Sequence, residues 1–154
     1  LNGQEKYIGS AKSLNFPEDS AWFKINSTGF ITGFELFGTN DGKQLGGYTG
    51  VDISGANNVF AKNETDGWTG LAFVNIENSS TTITLTAYDD NGSKVASESI
   101  DLGAYEKKSS SAQGLFTQSI SSATYISYSS SGKVVGFQLN GSSDGMMLDA
   151  LPGM

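Results

Sequence analysis

The 154-residue chain contains no cysteine and no histidine. Without cysteine there is no disulfide and no thiolate chemistry, and the redox compartment is left open. Without histidine the usual general base and the commonest transition-metal ligand are both missing. Proline occurs only twice, so the turns fall to glycine, which occupies 20 positions. Charged residues make up only 16% of the chain, below the usual quarter. Lysine and arginine number 9 against 16 aspartates and glutamates, giving a net charge of −7 and a pI near 4.4. A nucleic-acid binder normally carries a basic footprint, and none is written here. An anionic membrane surface is disfavoured for the same electrostatic reason. No apolar run approaches the ~20 residues of a membrane helix, so no membrane insertion is expected. The chain opens on Leu1 rather than Met, so a processed or excised piece of something longer is expected, and no signal peptide is visible in it.

What is present is 37% hydrophobic and 11% aromatic, enough for a sizeable core, in a background of Ser, Thr, Asn and Gly. Two stretches say nearly the same thing: GFELFGTNDGKQL from Gly33 and GFQLNGSSDGMML from Gly136. Aligned without gaps, residues 27–50 and 130–153 agree at ten of 24 positions, Gly33/Gly136, Phe34/Phe137, Leu36/Leu139, Asp41/Asp144 and Leu45/Leu148 among them. Upstream, with small shifts, Leu1, Glu5, Lys6, Ala11 and Leu14 match Leu102, Glu106, Lys107, Ala112 and Leu115, while Ala21 and Phe23 match Ala123 and Tyr125. Residues 1–50 thus resemble 102–153, and 51–101 have no visible copy. The chain reads as one and a half repeats of a unit of about 100 residues.

Period-two patterning dominates. Thr82–Tyr88 alternates polar and apolar, which points Ile83, Leu85 and Ala87 inward. Asp89-Asp90-Asn91-Gly92 then supplies a hairpin turn in which both Asn91 and Gly92 tolerate positive φ. The next strand runs from Ser93 to about Leu102. Gly70–Ile76 is apolar on both faces and reads as a central strand. Further strands are expected over 21–26, 30–37, 123–128 and 133–140. In the repeated stretch Phe34/Leu36 and Phe137/Leu139 each present one face toward a core, and the Asp-Gly pairs turn the chain back. Short helical turns are expected within 10–16 and 111–116, and long helices nowhere. The fold class is all-β: an antiparallel two-sheet β-sandwich of about ten or eleven strands with an internal repeat. A single 1–154 domain is expected, because a lone 50-residue half buries too little to stand alone. The alternative division is a half-module over 1–50 and a complete module over 51–154.

The stretches GWTGLAFVN (from Gly67), TITLTAYDDNG (from Thr82) and the repeated GFxLxG…DGxxL hairpin, closing on Leu151-Pro152, resemble a module repeated in tandem in bacterial secreted and surface proteins. The resemblance spans residues ~60–153 in full, with 1–50 as the second half of a preceding copy. It departs at Ile76, where that pattern often has Pro. It implies an extracellular or cell-surface location and a modular role among neighbouring repeat modules, and it lends no catalytic residues.

No residue stands out as catalytic, metal-binding or cofactor-binding, and no cofactor is expected. Asp41 and Asp144 sit in matched turns, where Asp caps nearby N–H groups; calcium ligation is the alternative. Asp89-Asp90-Asn91 and Asn75–Asn78 offer oxygens to calcium but lack further acidic ligands at the right spacing. Trp68 belongs to the module pattern and is expected in the core, whereas Trp22 is expected to be partly exposed. Exposed tryptophan stacks sugar rings, so burial of the two tryptophans separates two functional readings. The first is a non-catalytic structural or adhesive module with an unknown protein or glycan partner. The second is a carbohydrate-binding module appended to a secreted enzyme. Catalysis by the chain itself is not expected: a serine nucleophile would have no histidine, Ser10/Lys12 and Ser93/Lys94 are commonplace spacings, and no sequence pattern pairs two carboxylates.

Overall fold

The computed structural model describes Gly3, residues 5–50 and residues 55–154, with no side-chain account of residues 55 and 56. The chain divides into Leu1–Phe30 and Ile31–Met154. The hairpin of 34–49 falls in the second part, where it packs with the C-terminal strands.

The first part holds no strand among its described residues. The expected strand over 21–26 does not form there. The expected helical turn does: Leu14 N–H donates to the Ser10 carbonyl at 3.0 Å and Phe16 N–H to the Ala11 carbonyl at 3.2 Å. Asn15 takes φ 54° to end it, and Phe16 stacks on Phe23 with ring centroids 5.1 Å apart. Leu1, the counterpart of Leu102, lies outside the described residues.

The second part is all-β and antiparallel: β1 (Phe34–Gly38), β2 (Leu45–Thr49), β3 (Gly55–Phe60), β4 (Gly67–Asn75), β5 (Thr81–Tyr88), β6 (Lys94–Leu102), β7 (Lys107–Ser111), β8 (Tyr125–Ser142) and β9 (Leu148–Pro152). A single 3-10 turn, Gln113–Leu115, falls inside the expected helical stretch. The described strands number nine, fewer than expected, partly because 123–128 and 133–140 belong to one long strand. β8 is the spine. Ser129 is paired with Thr84 of β5 on one side and Asn57 of β3 on the other. Farther along, Leu139 is paired with Gly70 of β4 and Ala150 of β9. Val134 faces both Asn75 of β4 and Gly55 of β3, so β5 and β4 share one edge of β8 and β3 and β9 the other.

Between these halves the register slips: Asn57 faces Ser129 but Gly55 faces Val134, so Ser130–Lys133 bulges opposite a single residue of β3. A bulge bends its strand and increases the local twist. The sheet curls there. The run Ser-Ser-Ser-Gly, which reads as a turn, stays extended because neighbours hold it: Ser131 Oγ meets Thr81 Oγ1 at 3.0 Å, and Lys133 N–H donates to Glu77 Oε2 at 2.9 Å.

The core lies on one face of the curled sheet. Ile83, Leu85 and Ala87 are buried as expected, beside Leu71 and Phe73 of β4, Leu102 of β6 and Ile126, Tyr128 and Val134 of β8. Phe60, Phe73 and Tyr128 form its aromatic centre, with centroids 5.1–5.8 Å apart. The Tyr128 hydroxyl accepts from Asn58 Nδ2 at 2.8 Å, which satisfies the only polar atom of that ring.

The β5–β6 turn is built differently from the expected Asn-Gly geometry. Of its residues only Gly92 has positive φ, at 76°. Asp89 does the shaping instead: its Oδ1 accepts from Asn91 and Ser93 N–H at 2.9 and 2.8 Å, while Gly92 N–H returns to the Asp89 carbonyl at 3.0 Å. Ala87 faces Ala96 but Tyr88 faces Lys94, the register shift of a bulge beside the turn.

The two repeated hairpins match pair for pair. Phe34↔Thr49 through Gly38↔Leu45 in β1–β2 has the register of Phe137↔Pro152 through Gly141↔Leu148 in β8–β9. Gly50 N–H donates to the Gly33 carbonyl, and Gly153 N–H to the Gly136 carbonyl, both at 3.0 Å. What surrounds them differs. Gly141 also has β4 alongside, whereas β1 and β2 form a two-stranded sheet of their own. The hairpin of β1–β2 turns Phe37, Gly46 and Tyr48 toward β8–β9: Phe37 and Tyr48 meet the Phe137 ring edge-on at 6.3 and 4.5 Å. Its other face, Phe34, Leu36 and Leu45, is 73%, 61% and 69% exposed. The expectation that Phe34 and Leu36 face a core is therefore corrected. Within Ile31–Met154 the hairpin uses its opposite face for packing.

Candidate functional site

Asp41 and Asp144 do the same job in their two turns. Thr39 Oγ1 donates to Asp41 Oδ1 at 2.6 Å, and Ser142 Oγ to Asp144 Oδ1 at 2.6 Å. The same oxygens accept from Lys43 N–H at 3.2 Å and Met146 N–H at 2.9 Å. These bonds, the hydroxyl bond first, hold both carboxyls below the usual carboxylate range. Gly42 and Gly145, each with φ 70°, complete the turns. Gln44 Nε2 donates across to the Gly145 carbonyl at 2.6 Å, tying the turns together. Oxygens aimed at their own backbone leave little for a metal, and no cluster of three or more candidate ligands occurs among the described residues. Calcium at millimolar concentration is expected to leave the melting temperature unchanged. Calorimetry checks this, since an ion at a hundredfold excess over its dissociation constant would add about 2.7 kcal/mol.

The Asn75–Asn78 loop is likewise spent on structure. Asn75 is fully buried; its Nδ2 donates to the carbonyls of Ser79 and Gly103 at 2.6 and 2.8 Å, and its Oδ1 accepts from Glu77 N–H at 3.0 Å.

Trp68 departs from expectation. It is the second residue of β4, and residues alternate across a strand. Thr69, Leu71 and Phe73 take the core face, which puts Trp68 on the outer face with Ala72 and Val74. It is 42% exposed. Trp22 is half-buried, in line with expectation. The indole of Trp68 lies over its register partner on β8, Gly141, where any Cβ would collide with ring atoms Cε2, Nε1 and Cζ2. A Cβ on Gly70 would touch Cζ3 at 3.4 Å. Glycines beneath thus let the ring lie flat on the sheet.

Beside the ring opens a cleft of about 260 Å³, lined by Asn63 and Glu64 before β4, Ser111 at the end of β7, Gln113 of the 3-10 turn, and Ser121 before β8. Its walls are tied down. Thr69 Oγ1 accepts from Glu64 N–H at 2.8 Å and donates to buried Asn140 Oδ1 at 2.7 Å. Gln138, also buried, donates to Asn140 Oδ1 at 3.0 Å and to the Lys62 carbonyl. Asn63 Nδ2 donates to the Ala123 carbonyl at 2.9 Å. Gln113 bridges the next loop, accepting from Ile120 N–H at 2.9 Å and donating to the Gln118 carbonyl at 3.0 Å. Lys62 Nζ lies 2.6 Å from Glu64 Oε2. That pairing holds the Glu64 carboxyl below the usual range and raises Lys62. No sequence pattern joins these residues; only the exposed-tryptophan criterion points to the place.

No protein-family model and no curated protein matches the chain. A crystal structure of Thermotoga maritima 1070 is similar in fold, with a TM-score of 0.53 and 13% sequence identity over 66% of this chain and 94% of that one. At that identity the likeness extends to the all-β architecture alone.

Proposed function

We propose that the chain is a non-catalytic interaction module of a larger secreted or surface protein, built from one and a half copies of a two-sheet β-sandwich repeat. One observation carries the reading. Phe34, Leu36 and Leu45 stand exposed on the outer face of β1–β2, while their counterparts Phe137, Leu139 and Leu148 are half-buried. Phe137 lies under the rings of Phe37 and Tyr48, and Leu148 lies against Gly46. The same three side chains thus form a covered face in one hairpin and an open face in the other. An apolar face repeated in this way fits contact with another module of the same kind. The extracellular location rests on the resemblance to tandem surface repeats, and the acidic, Ser/Thr/Asn-rich composition accords with it. Among the described residues no helix is long and apolar enough to cross a membrane.

Sedimentation at rising concentration tests the reading. Copies are expected to associate through this face. Leu36→Glu should abolish association with stability held within about 0.5 kcal/mol, as for other exposed positions. A chain that stays monomeric over the whole range would sink the proposal.

A further inference from the structure

We infer that the cleft beside Trp68 binds a neutral oligosaccharide, with one pyranose ring stacked on the indole. This goes beyond the modular reading and does not depend on it. A pyranose has a face of C–H groups that matches an aromatic ring and a rim of hydroxyls that need hydrogen-bonding partners. Both halves of that requirement meet here. The indole is backed by Gly141 and Gly70, and the residue as a whole keeps 42% of its surface exposed beside the cleft. A ring already held in place loses little freedom on binding.

Next to it the cleft offers polar groups of the right kind. Asn63 is oriented by its amide bond to Ala123, which leaves its Oδ1 as an acceptor. Ser111 and Ser121 line the same space; Ser111 Oγ accepts from Gly114 N–H at 3.1 Å and Ser121 Oγ from Ser119 Oγ at 3.2 Å, which leaves each its own O–H to donate. The loops that carry these groups are anchored through Thr69, Asn140 and Gln113, so the site is largely formed before a ligand arrives. At about 260 Å³ the cleft is just below the ~300–1,000 Å³ of pockets that enclose drug-sized ligands. It has room for one ring, with the rest of the saccharide outside.

Charge selects the class. Glu64 lines the cleft, and its neighbour Lys62 is already engaged with it. In a chain of net charge −7, a uronic acid, sialic acid or nucleotide phosphate would meet repulsion. A flat tryptophan over strand glycines can also serve packing alone, and that is the outcome to be excluded.

The test follows the indole N–H signals of Trp68 and Trp22, and in the Trp68 variants the backbone N–H signals of Asn63, Ser111 and Ser121, in the full chain by NMR. The probes are hexasaccharides of glucose, xylose, mannose and N-acetylglucosamine, with sialylated and uronic-acid oligosaccharides beside them. With at least one neutral probe the Trp68 signal should shift saturably while the Trp22 signal stays. Trp68→Ala should abolish binding, and Trp68→Tyr, which keeps a flat ring, should restore part of it. Ser111→Ala and Ser121→Ala should each weaken binding by about threefold or more, the worth of one hydrogen bond. No saturable shift with any neutral probe overturns the inference. So does binding that survives Trp68→Ala, or acidic probes binding more tightly than neutral ones. Should Trp68→Ala fail to fold, Trp68→Tyr and the two serine variants decide the question by the same criteria.

Discussion

Phe73→Ala is expected to remove about 3–5 kcal/mol of stability, the range for deleting a buried aromatic ring. Phe73 has no solvent exposure, and its ring is caught between Phe60 at 5.8 Å and Tyr128 at 5.1 Å. The cavity left behind cannot easily collapse. β4 is fixed on both edges at this residue, by Lys108 of β7 and Gly136 of β8. Against the ~5–15 kcal/mol that holds a typical domain together, the loss leaves little. Urea titration measures it as a fall in midpoint at unchanged slope. Phe34→Ala, at an exposed position on β1, serves as the contrast and should cost within about 0.5 kcal/mol. A loss below about 1 kcal/mol for Phe73→Ala would remove Phe73 from the centre of the core.

Gly136→Ala has the second largest expected effect, about 1–3 kcal/mol of destabilisation from overpacking. A methyl group there would lie 2.6 Å from the Tyr128 hydroxyl and 2.7 and 2.8 Å from ring atoms Cε1 and Cζ. Tyr128 has no room to withdraw, since Asn58 holds its hydroxyl and Phe60 and Phe73 hold its ring. Replacing glycine also stiffens the unfolded chain, which favours folding by about 0.4–1 kcal/mol. The clash is the larger of the two effects. Gly33 is the sequence counterpart of Gly136, yet nothing lies within 4 Å of its Cβ position. Gly33→Ala should therefore be nearly neutral. Thermal melts of the two variants compare the sites directly, and equal behaviour would show that Tyr128 yields.

This pair of glycines also marks what the amino-acid sequence made legible. The hairpin and its turn were readable because turn chemistry is local: an Asp that caps and a Gly with positive φ act within a few residues. The inward face of β5 was readable for a similar reason, since alternation over Thr82–Tyr88 has one solution when only one face is apolar. β4 is apolar on both faces, and alternation cannot then say which face is the core. Trp68 was expected inside because it belongs to the module pattern, and it lies outside with Ala72 and Val74 because the strand already includes it. The strand expected over 21–26 failed although its counterpart begins β8. In β8, neighbours on both edges impose the extended form, and a residue pattern does not carry its neighbours with it. The cleft was illegible for the same reason. Asn63, Ser111 and Ser121 come from the loop before β4, the end of β7 and the loop before β8, and meet only when β4, β7 and β8 pair.

β8 has a consequence for the order of events on the way to this structure. Its partners β3, β4 and β5 all precede it, and β9 follows at once. During synthesis the β5–β6 hairpin can close early, since its turn joins adjacent strands. β3, by contrast, must wait unpaired, and β4 with only its β7 edge paired, until the chain beyond Tyr125 has emerged. Pairings as distant as Gly67 with Ser142 make loop closure a main obstacle. The nascent chain therefore carries its stickiest surface for longest, and Ser142, the last residue of β8, is the point at which that exposure ends.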